Sequence, residues 1–317
     1  MPTLTQLEYV LAVEKHRHFG KAAEACHISQ PTLSQQIQKL EDELSIIVFD
    51  RIQKPIVPTD EGRRLIEQAK VVLREQEKLL HISRMGKKGL VGHFRLAIIP
   101  TIGTYLIPMF IKEFSERYPK VELYIEELKT ETSLEELRND RIDGAVLATP
   151  LERPGFKEHP LFYEPFVLYA SKGHALLSKS KISPKDLDGA QMWMLQDGNC
   201  FKTQVSNFCS ISPDQDSVFR NIHFQSGNLE TLCNVIRRNK GYTLLPELLT
   251  KLMSPAEVRA CVRPFVTPAP TREISFVYRR DHWKLEIVDA IEKCILRNLP
   301  DGVMTQKGKD QVVVEVC

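Results

Sequence analysis

The stretch Ser29-Gln30-Pro31-Thr32-Leu33-Ser34-Gln35-Gln36-Ile37-Gln38-Lys39-Leu40 decides the predicted fold of the N-terminal part of the chain. Ser29 is a good N-cap, and Pro31 suits the first turn of a helix. Apolar side chains repeat at helical spacing and predict a buried face: Leu33, Ile37, Leu40 and Leu44. The opposite face carries Gln30, Thr32, Ser34, Gln35, Gln38 and Lys39. Neutral hydrogen-bonding side chains at a helix start can read base edges in a major groove. The alternative is an ordinary solvated polar face.

Helical patterns precede this stretch, and strand patterns follow it. Residues 4–16 predict an amphipathic helix, with Leu4, Leu7, Val10 and Leu11 on one face. A second helix is predicted over residues 20–26. Short strands are predicted at 46–49 and 55–57, with Asp50, Arg51, Gln53 and Lys54 between them. This order suits a wing beside a helix-turn-helix, in which Arg51 contacts phosphate. Residues 1–58 are therefore predicted to form a winged helix-turn-helix DNA-binding domain.

A long helix is predicted next, over residues 60–85. Thr59 is its N-cap, and Asp60 and Glu61 lie in its first turn. Two sets of apolar residues recur every seven positions: Leu65, Val72 and Leu79, and Ile66, Leu73 and Leu80. A heptad stripe on a long helix favours pairing with a second copy, and the alternative is packing on its own domain. With the Gly- and Lys-rich hinge at 86–89, residues 59–89 are predicted to be a dimerising linker.

Beyond the hinge, strands and helices alternate in the βαβ rhythm of a parallel sheet covered by helices. Strands are predicted at 94–99, 121–126, 144–148, 162–170, 191–195, 221–224, 241–245 and 274–279, and helices at 106–117, 134–139, 229–238 and 283–296. The pattern predicts a regulatory domain over residues 90–299 that consists of two α/β lobes with a cleft between them. Residues 300–317 are polar and predict a disordered tail, apart from residues 312–314.

Composition narrows the class of protein. A chain of 317 residues with 42% hydrophobic and 26% charged content is expected to be a soluble globular protein of two or three domains. The chain has no long apolar run and no basic, apolar leader, which predicts a cytoplasmic location and no membrane partner. Seven scattered cysteines include no metal-ligand pair such as CxxC, so no metal site is predicted. No cofactor is predicted either. In a reducing compartment, a disulfide is expected to be transient and redox-sensing.

Cys200 and Cys209 lie in a segment that suits a redox switch. The turn Asp197-Gly198 precedes Asn199, which can cap a helix that begins at Cys200. The helix dipole and Lys202 favour the thiolate of Cys200. In one continuous helix the two Cα atoms would be about 13 Å apart, whereas a disulfide needs roughly 4.4–6.8 Å. Bridging them would require the segment to refold; the alternative is that both are packed residues.

The N-terminal part resembles that of LysR-type transcriptional regulators. The matching residues are Phe19-Gly20-Lys21-Ala22-Ala23, Ser29 to Ile37, Leu40-Glu41 and Thr59-Asp60-Glu61-Gly62. The resemblance implies a winged helix-turn-helix, a dimerising linker helix and a regulatory domain like a periplasmic binding protein. It also implies a homodimer or homotetramer that binds a double-stranded DNA operator and RNA polymerase. The predicted DNA-binding residues are Ser29, Gln30, Pro31, Thr32, Ser34, Gln35, Lys39 and Arg51.

The C-terminal part resembles the hydrogen-peroxide-sensing members of the same family. The matching residues are 99–103, 194–200, 208–209, 223–224, 229–232, 243–246 and 277–279. The resemblance implies that Cys200 reacts with peroxide and that Cys209 resolves it. It implies that Thr101 and His223 line the peroxide pocket, that Arg272 lies near it, and that a thiol reductant such as glutaredoxin or thioredoxin resets the switch. The chain departs from the pattern at Thr203, which cannot serve as a carboxylate acid or base.

Two other functions remain open at this stage. One is a LysR-type regulator that answers a small organic ligand in the cleft, with Cys200 and Cys209 as packing residues. The other is a thiol peroxidase, which the helix-turn-helix argues against, so no enzyme activity is predicted. Of the remaining cysteines, four are expected to be packing residues and one an exposed tail thiol: Cys26, Cys233, Cys261 and Cys294, and Cys317.

Overall fold

The computed structural model describes residues 1–84, 89–187, 192–195, 204–205, 228–308 and 311–314. The chain divides into two units, Met1–Lys88 and Gly89–Cys317, and each unit has its own hydrophobic core. Within the described residues, no helix combines the length and the apolar character needed to cross a membrane.

Three helices form the base of the N-terminal unit: α1 (Leu4–His16), α2 (Phe19–Ala25) and α3 (Gln30–Leu44). The buried face of α1 carries Leu7, Val10 and Val13. The predicted face was partly wrong, because Leu4 is 38% exposed and Leu11 is only half-buried. Gln6 is buried instead, and its Nε2 donates to the carbonyl oxygen of Gln36 at 3.4 Å. This polar contact between α1 and α3 accounts for the inward position of a glutamine.

The wing consists of two short antiparallel strands, β1 (Phe49–Asp50) and β2 (Val57–Pro58). The strands predicted at 46–49 and 55–57 therefore lie too early in the chain. Residues 46–48 bond elsewhere: the Val48 amide donates to the Glu41 carboxylate at 2.8 Å, and the Thr59 amide donates to the carbonyl oxygen of Val48 at 3.0 Å. The backbone of Val48 is thus hydrogen-bonded to groups of α3 and of the residue that precedes α4. It therefore needs no neighbouring strand as a hydrogen-bonding partner.

Helix α4 (Asp60–Arg84) begins as expected, with the Gly62 amide donating to Thr59 Oγ1 at 2.9 Å. A side chain at position 62 would collide with the carbonyl oxygen of Val48, so this close approach requires glycine. Ile66 is buried in the core of the N-terminal unit. Farther along α4, Val72 is 37% and Leu79 is 69% exposed. The first turns and Leu73 thus pack on their own unit, while Val72 and Leu79 of the heptad stripe are exposed in the single chain.

The C-terminal unit starts with β3 (Gly92–Ile98), α5 (Pro100–Arg117), β4 (Val121–Glu127), α6 (Thr130–Arg138) and β5 (Gly144–Thr149). Strand β3 pairs in parallel with both β4 and β5, as the βαβ rhythm predicts. Helix α5 begins six residues before the predicted start at 106. Pro100 suits a first helical turn, since its missing amide proton would have had no intrahelical partner there.

The remaining elements are β6 (Phe156–Ala170), α7 (Leu229–Arg238), β7 (Tyr242–Pro246), α8 (Pro255–Cys261), β8 (Val262–Pro264), β9 (Ala269–Arg279), α9 (Leu285–Arg297) and β10 (Gln311–Val313). The sheet order is β4-β3-β5-β9-β6-β7, with β8 paired to β6 and β10 to β9. Strand β9 runs antiparallel to β5 and β6, so the sheet is mixed rather than parallel throughout. Strand β6 pairs with β9 in its first part and with β7 and β8 in its last part.

The architecture is α/β, with an N-terminal helix-turn-helix and a curled sheet that forms two lobes like those of periplasmic binding proteins. Helices α5, α6 and α9 pack with β3–β5 and β9. Helix α7 packs on β6, and helix α8 packs on β6 and β8. Residues 192–195, predicted as part of a strand, contribute only an isolated bridge between Met192 and Tyr242. The strand predicted at 221–224 lies outside the described residues.

The C-terminal segment contains strand β10, which overlaps residues 312–314 that the sequence sets apart from the disordered tail, and disorder of the rest of the tail stays a prediction. Strand β10 pairs in parallel with the start of β9, and Val314 is 6% exposed. The Val314 amide donates to the carbonyl oxygen of Thr271 at 2.8 Å, and the Tyr163 amide donates to that of Met304 at 2.8 Å. The start of β9 offers backbone groups to a further strand, and Val314 gains burial there. The amino-acid composition of the segment reveals neither the pairing with β9 nor the burial of Val314.

Candidate functional site

The polar face of α3 is presented as the sequence predicts. Ser29 Oγ accepts from the Thr32 amide at 3.3 Å and lies 2.7 Å from Thr32 Oγ1, which fixes the helix start. Gln30, Pro31, Thr32, Gln35 and Lys39 are exposed, while Ser34 is half-buried. An open groove on this face is lined by Gln30, Pro31, Ser34, Gln35, Gln36, Gln38, Lys39, Asp42 and Arg51. The fold therefore brings most of the predicted DNA-binding residues together on one concave surface, and their contacts with bases stay a prediction.

Arg51 is held in place by a residue that the sequence reasoning missed. Its Nη2 atom lies 2.6 Å from Glu41 Oε2, and its guanidinium lies 5.3 Å from the ring centroid of Phe19. Glu41 is 4% exposed, and its other oxygen accepts from the Val48 amide. The sequence did contain a signal for this role, since Glu41 directly follows Leu40 on the buried side of an amphipathic helix. A buried carboxylate needs a partner, so a basic residue was to be expected beside it. Glu41 thus ties the beginning of the wing to α3, the predicted recognition helix.

In the C-terminal unit, the fold brings Thr101 and Arg272 into contact. Thr101 lies in the first turn of α5, rather than before the helix as predicted, and is 3% exposed. Arg272 on β9 is fully buried. Its Nη1 atom donates to Thr101 Oγ1 at 3.2 Å, and its Nη2 atom donates to the carbonyl oxygen of Thr101 at 3.1 Å. Two predicted site residues that lie far apart in sequence therefore form one polar contact in the interior.

Glu164 and Tyr105 complete this buried cluster, and the sequence reasoning missed both. Glu164 is the cross-strand partner of Arg272 in the β6–β9 ladder, and its Oε2 atom accepts from Arg272 Nε at 3.0 Å. Tyr105 Oη donates to the same oxygen at 2.6 Å and accepts from Arg272 Nη2 at 2.9 Å. The sequence signal that could have revealed Glu164 is its position as the single charged residue in the otherwise mostly apolar stretch 161–170.

The electrostatics of the cluster favour one protonation state. Burial, together with the negative charge of Glu164, raises the pKa of Tyr105 well above its ordinary value. Tyr105 therefore keeps its proton and donates it to the Glu164 carboxylate. The charge of Arg272 is balanced by Glu164, since an unpaired charge in the interior is costly. Because the Thr101 hydroxyl accepts from Arg272, its own proton can be donated to an oxygen atom of a ligand.

The remaining predicted site residues, Cys200, Cys209 and His223, lie outside the described residues, as do Lys202, Thr203 and Cys317. Between the two cysteines in sequence, Gln204 and Val205 are described, and both are buried. Gln204 Nε2 donates to the carbonyl oxygen of Val314 at 3.0 Å. Gln204 is therefore bonded to the residue that follows strand β10.

The four cysteines that the structure describes are free thiols in packed surroundings. Cys233 and Cys294 are buried, and Cys26 and Cys261 are half-buried. Burial raises the pKa of Cys233 to about 12, so this thiol is protonated and unreactive at neutral pH. Burial also raises the pKa of Cys26, Cys261 and Cys294. These surroundings agree with the prediction that the four are packing residues.

Family models match both units of the chain. Residues 4–63 match the bacterial regulatory helix-turn-helix protein of the lysR family, and residues 87–300 match the LysR substrate binding domain. The chain therefore belongs to the LysR family of bacterial transcriptional regulators. The predicted fold class is confirmed, and so is the resemblance to this family.

The similar proteins within the family include peroxide-related regulators. A hydrogen peroxide-inducible genes activator of Dickeya chrysanthemi is 38% identical over 280 residues, which cover 87% of this chain and 89% of the relative. The DNA-binding transcriptional dual regulator OxyR of Escherichia coli K12 is 37% identical over 279 residues, with coverage of 87% and 89%. The predicted resemblance to the peroxide-sensing members is thereby confirmed.

Solved structures with the same fold include two OxyR proteins. A full-length Pseudomonas aeruginosa OxyR with one cysteine replaced by aspartate superposes with a TM-score of 0.75 at 30% identity and covers 93% of this chain and 97% of its own. A cysteine-to-serine mutant of Corynebacterium glutamicum OxyR with hydrogen peroxide bound has a TM-score of 0.61 at 28% identity, with coverage of 94% and 92%.

Proposed function

We propose that this chain is a DNA-binding transcriptional activator that responds to hydrogen peroxide through reversible formation of a disulfide between Cys200 and Cys209. The observation that carries the proposal is the buried contact of Arg272 with Thr101 at the start of α5. In this contact a guanidinium donor and a hydroxyl are held side by side. The chain that carries them is 37–38% identical to peroxide-related regulators of other bacteria. A hydroxyl beside a guanidinium suits a small, uncharged, oxygen-rich ligand, because it offers donors without requiring an anion.

The proposed reaction needs one activated thiol and one resolving thiol. The Cys200 thiolate attacks one peroxide oxygen, the O–O bond breaks, and hydroxide leaves and takes up a proton to become water. Donors at Thr101, His223 and Arg272 stabilise the leaving oxygen. The Cys209 thiol then attacks the sulfur of the Cys200 sulfenic acid, which forms the disulfide and releases a second water. Thr203 supplies no carboxylate, so the proton comes from another group or from water.

The proposed division of labour follows the two units. Residues 1–58 bind the operator, the linker over residues 59–89 forms a homodimer, and residues 90–299 sense peroxide and assemble the homotetramer. Disulfide formation refolds the segment between Cys200 and Cys209 and biases a two-state element that alters the spacing of the recognition helices. The activator contacts RNA polymerase in the cytoplasm and is reset by a thiol reductant such as glutaredoxin or thioredoxin.

The proposal is tested by counting thiols after one equivalent of hydrogen peroxide and mapping disulfide-linked peptides. We expect a loss of two thiols and one peptide pair containing Cys200 and Cys209. Cys200→Ser should abolish the response and keep DNA binding, whereas Cys209→Ser should leave a Cys200 that oxidises without forming the bridge. Cys26→Ser is the matched control, because Cys26 is a half-buried thiol in the other unit. A normal peroxide response from Cys200→Ser would overturn the proposal.

A further inference from the structure

Glu164 is the residue on which the geometry around Arg272 depends. Both of its carboxylate oxygens are engaged. Oε1 accepts from the Leu248 amide at 3.0 Å, and Oε2 accepts from Tyr105 Oη at 2.6 Å and from Arg272 Nε at 3.0 Å. The carboxylate is therefore held by the backbone that follows β7 and by a side chain of α5, and it cannot turn without breaking several bonds.

The fixed carboxylate determines which atoms of Arg272 face Thr101. A guanidinium is planar, so its remaining donors point in set directions once Nε is bound to Glu164. Nη2 also lies 2.9 Å from Glu164 Oε2, and Nη1 is thereby turned toward Thr101 Oγ1, to which it donates at 3.2 Å. Accepting this bond orients the Thr101 hydroxyl. Glu164 thus acts on Thr101 through Arg272, although no bond joins Glu164 to Thr101 among those described.

We propose that Glu164 is a positioning residue for the peroxide reaction. Glu164 fixes Arg272, and Arg272 in turn aims the Thr101 hydroxyl at the leaving oxygen. This inference rests on the proposed function of the same site. Glu164 touches no substrate in this scheme, and its contribution is the precise orientation of donors before peroxide arrives. Small displacements of such groups reduce rates strongly, by about a hundredfold for an error near 1 Å.

The chain offers a matched control in a second tyrosine–glutamate–arginine cluster. Glu257 accepts from Tyr169 Oη at 2.7 Å and from Arg237 Nε at 2.7 Å. This cluster has the same three side-chain types as the first, but it includes no threonine of the predicted pocket. Glu257→Gln therefore removes a carboxylate from a cluster of the same side-chain types, although the Glu257 side chain is 22% exposed and that of Glu164 is fully buried. The contact between Arg272 and Thr101 is not altered.

The experiment compares two reactions of the Cys200 thiol in the full chain. The second-order rate with hydrogen peroxide depends on the thiolate and on oriented donors, whereas alkylation by iodoacetamide depends on the thiolate and on access alone. The ratio of the two rates is measured across pH for the wild type, Glu164→Gln, Tyr105→Phe and Glu257→Gln. We expect Glu164→Gln to lower the ratio by about tenfold to a hundredfold, Tyr105→Phe to lower it less, and Glu257→Gln to leave it unchanged.

Each contrary result is decisive. An unchanged ratio in Glu164→Gln, with a lowered ratio in Thr101→Val, would overturn the positioning role and leave the proposed function standing. An equal drop in Glu257→Gln would show a general effect of packing and would also overturn it. If Glu164→Gln does not fold, Tyr105→Phe decides, because an unchanged ratio there contradicts the inference. A wild-type Cys200 that does not react with peroxide is a different result and refutes the proposed function itself.

Discussion

Gln204 donates a hydrogen bond from Nε2 to the carbonyl oxygen of Val314 at 3.0 Å, across 110 residues of sequence. Gln204 is completely buried and Val314 is 6% exposed. Gln204 lies between Cys200 and Cys209 in sequence, and Val314 directly follows β10. The C-terminal segment therefore helps to fix Gln204, which lies in sequence between the two cysteines of the proposed disulfide.

Val314→Asp should destabilise the protein, because it places a carboxylate among the apolar side chains of the core. A buried unpaired charge costs several kcal/mol, and we expect a loss of about 3 kcal/mol in the free energy of unfolding. Urea unfolding followed by circular dichroism measures the change. Val312→Asp, on the adjoining strand β10, is the control, since Val312 is 48% exposed and its substitution should cost less than about 0.5 kcal/mol. Equal losses in the two variants would contradict the position assigned to Val314.

Val72→Glu should weaken the proposed dimer. Val72 is 37% exposed in the single chain, and a second helix packed on the heptad stripe would bury it. A charge at that position opposes association, because it must be desolvated without a partner. Light scattering at micromolar concentration should show a smaller oligomer, whereas Val72→Leu should keep the wild-type mass. A wild-type mass for Val72→Glu would rule out pairing through this face of α4.

Gln35→Ala and Glu41→Gln should affect DNA binding in different ways. Gln35 is exposed on the groove and is expected to read a base, so its loss should weaken operator binding by about 1–3 kcal/mol and spare non-specific binding. Glu41 holds Arg51, and Arg51 is expected to contact phosphate. Glu41→Gln should therefore weaken binding to every sequence alike. Fluorescence anisotropy with operator and scrambled duplexes separates the two effects, and identical profiles for both variants would contradict these roles.

His282 should make the stability of the protein sensitive to mild acid. Burial lowers the pKa of His282 from its ordinary value of 6.5 to about 4. The negative charge of Asp143 acts to raise this pKa, and the positive charge of Lys284 acts to lower it. Between these two pH values the unfolded chain binds a proton that the folded chain does not, so the contribution is complete above pH 6.5 and is lost as the pH falls toward 4. His282→Phe removes the proton site and keeps a ring beside Phe94, which His282 contacts edge-on.

The measurement is the free energy of unfolding of the wild type and of His282→Phe at about pH 7.5 and about pH 5. We expect the wild type to lose roughly 1–2 kcal/mol more than the variant over this interval. His93→Gln is the control, because His93 is exposed and its removal should leave the wild-type dependence largely intact. An equal pH dependence in the wild type and in His282→Phe would refute the assignment.

The sequence by itself determined the helices of the N-terminal unit, the caps at Ser29 and Thr59, and the alternation of strands and helices after the hinge. These features follow from contacts between residues close together in the chain, such as a hydroxyl that accepts from an amide three residues on. The same local reasoning misplaced the wing strands, because the groups that bond residues 46–48 come from α3 and from Thr59. The motifs also gave Thr101 and Arg272 as neighbours of one pocket, by resemblance to a family.

Only the tertiary structure decided which polar groups are buried and which partners offset the free-energy cost of burying them. Glu164 and Arg272 are 108 residues apart in sequence and become partners because β6 and β9 pair in one register. Glu41, Gln204 and Val314 acquire their roles in the same way, from long-range packing that no local pattern encodes. The free energy of a buried charge or amide depends on whether a partner is within hydrogen-bonding distance, and that distance is set only when the strands and helices come together.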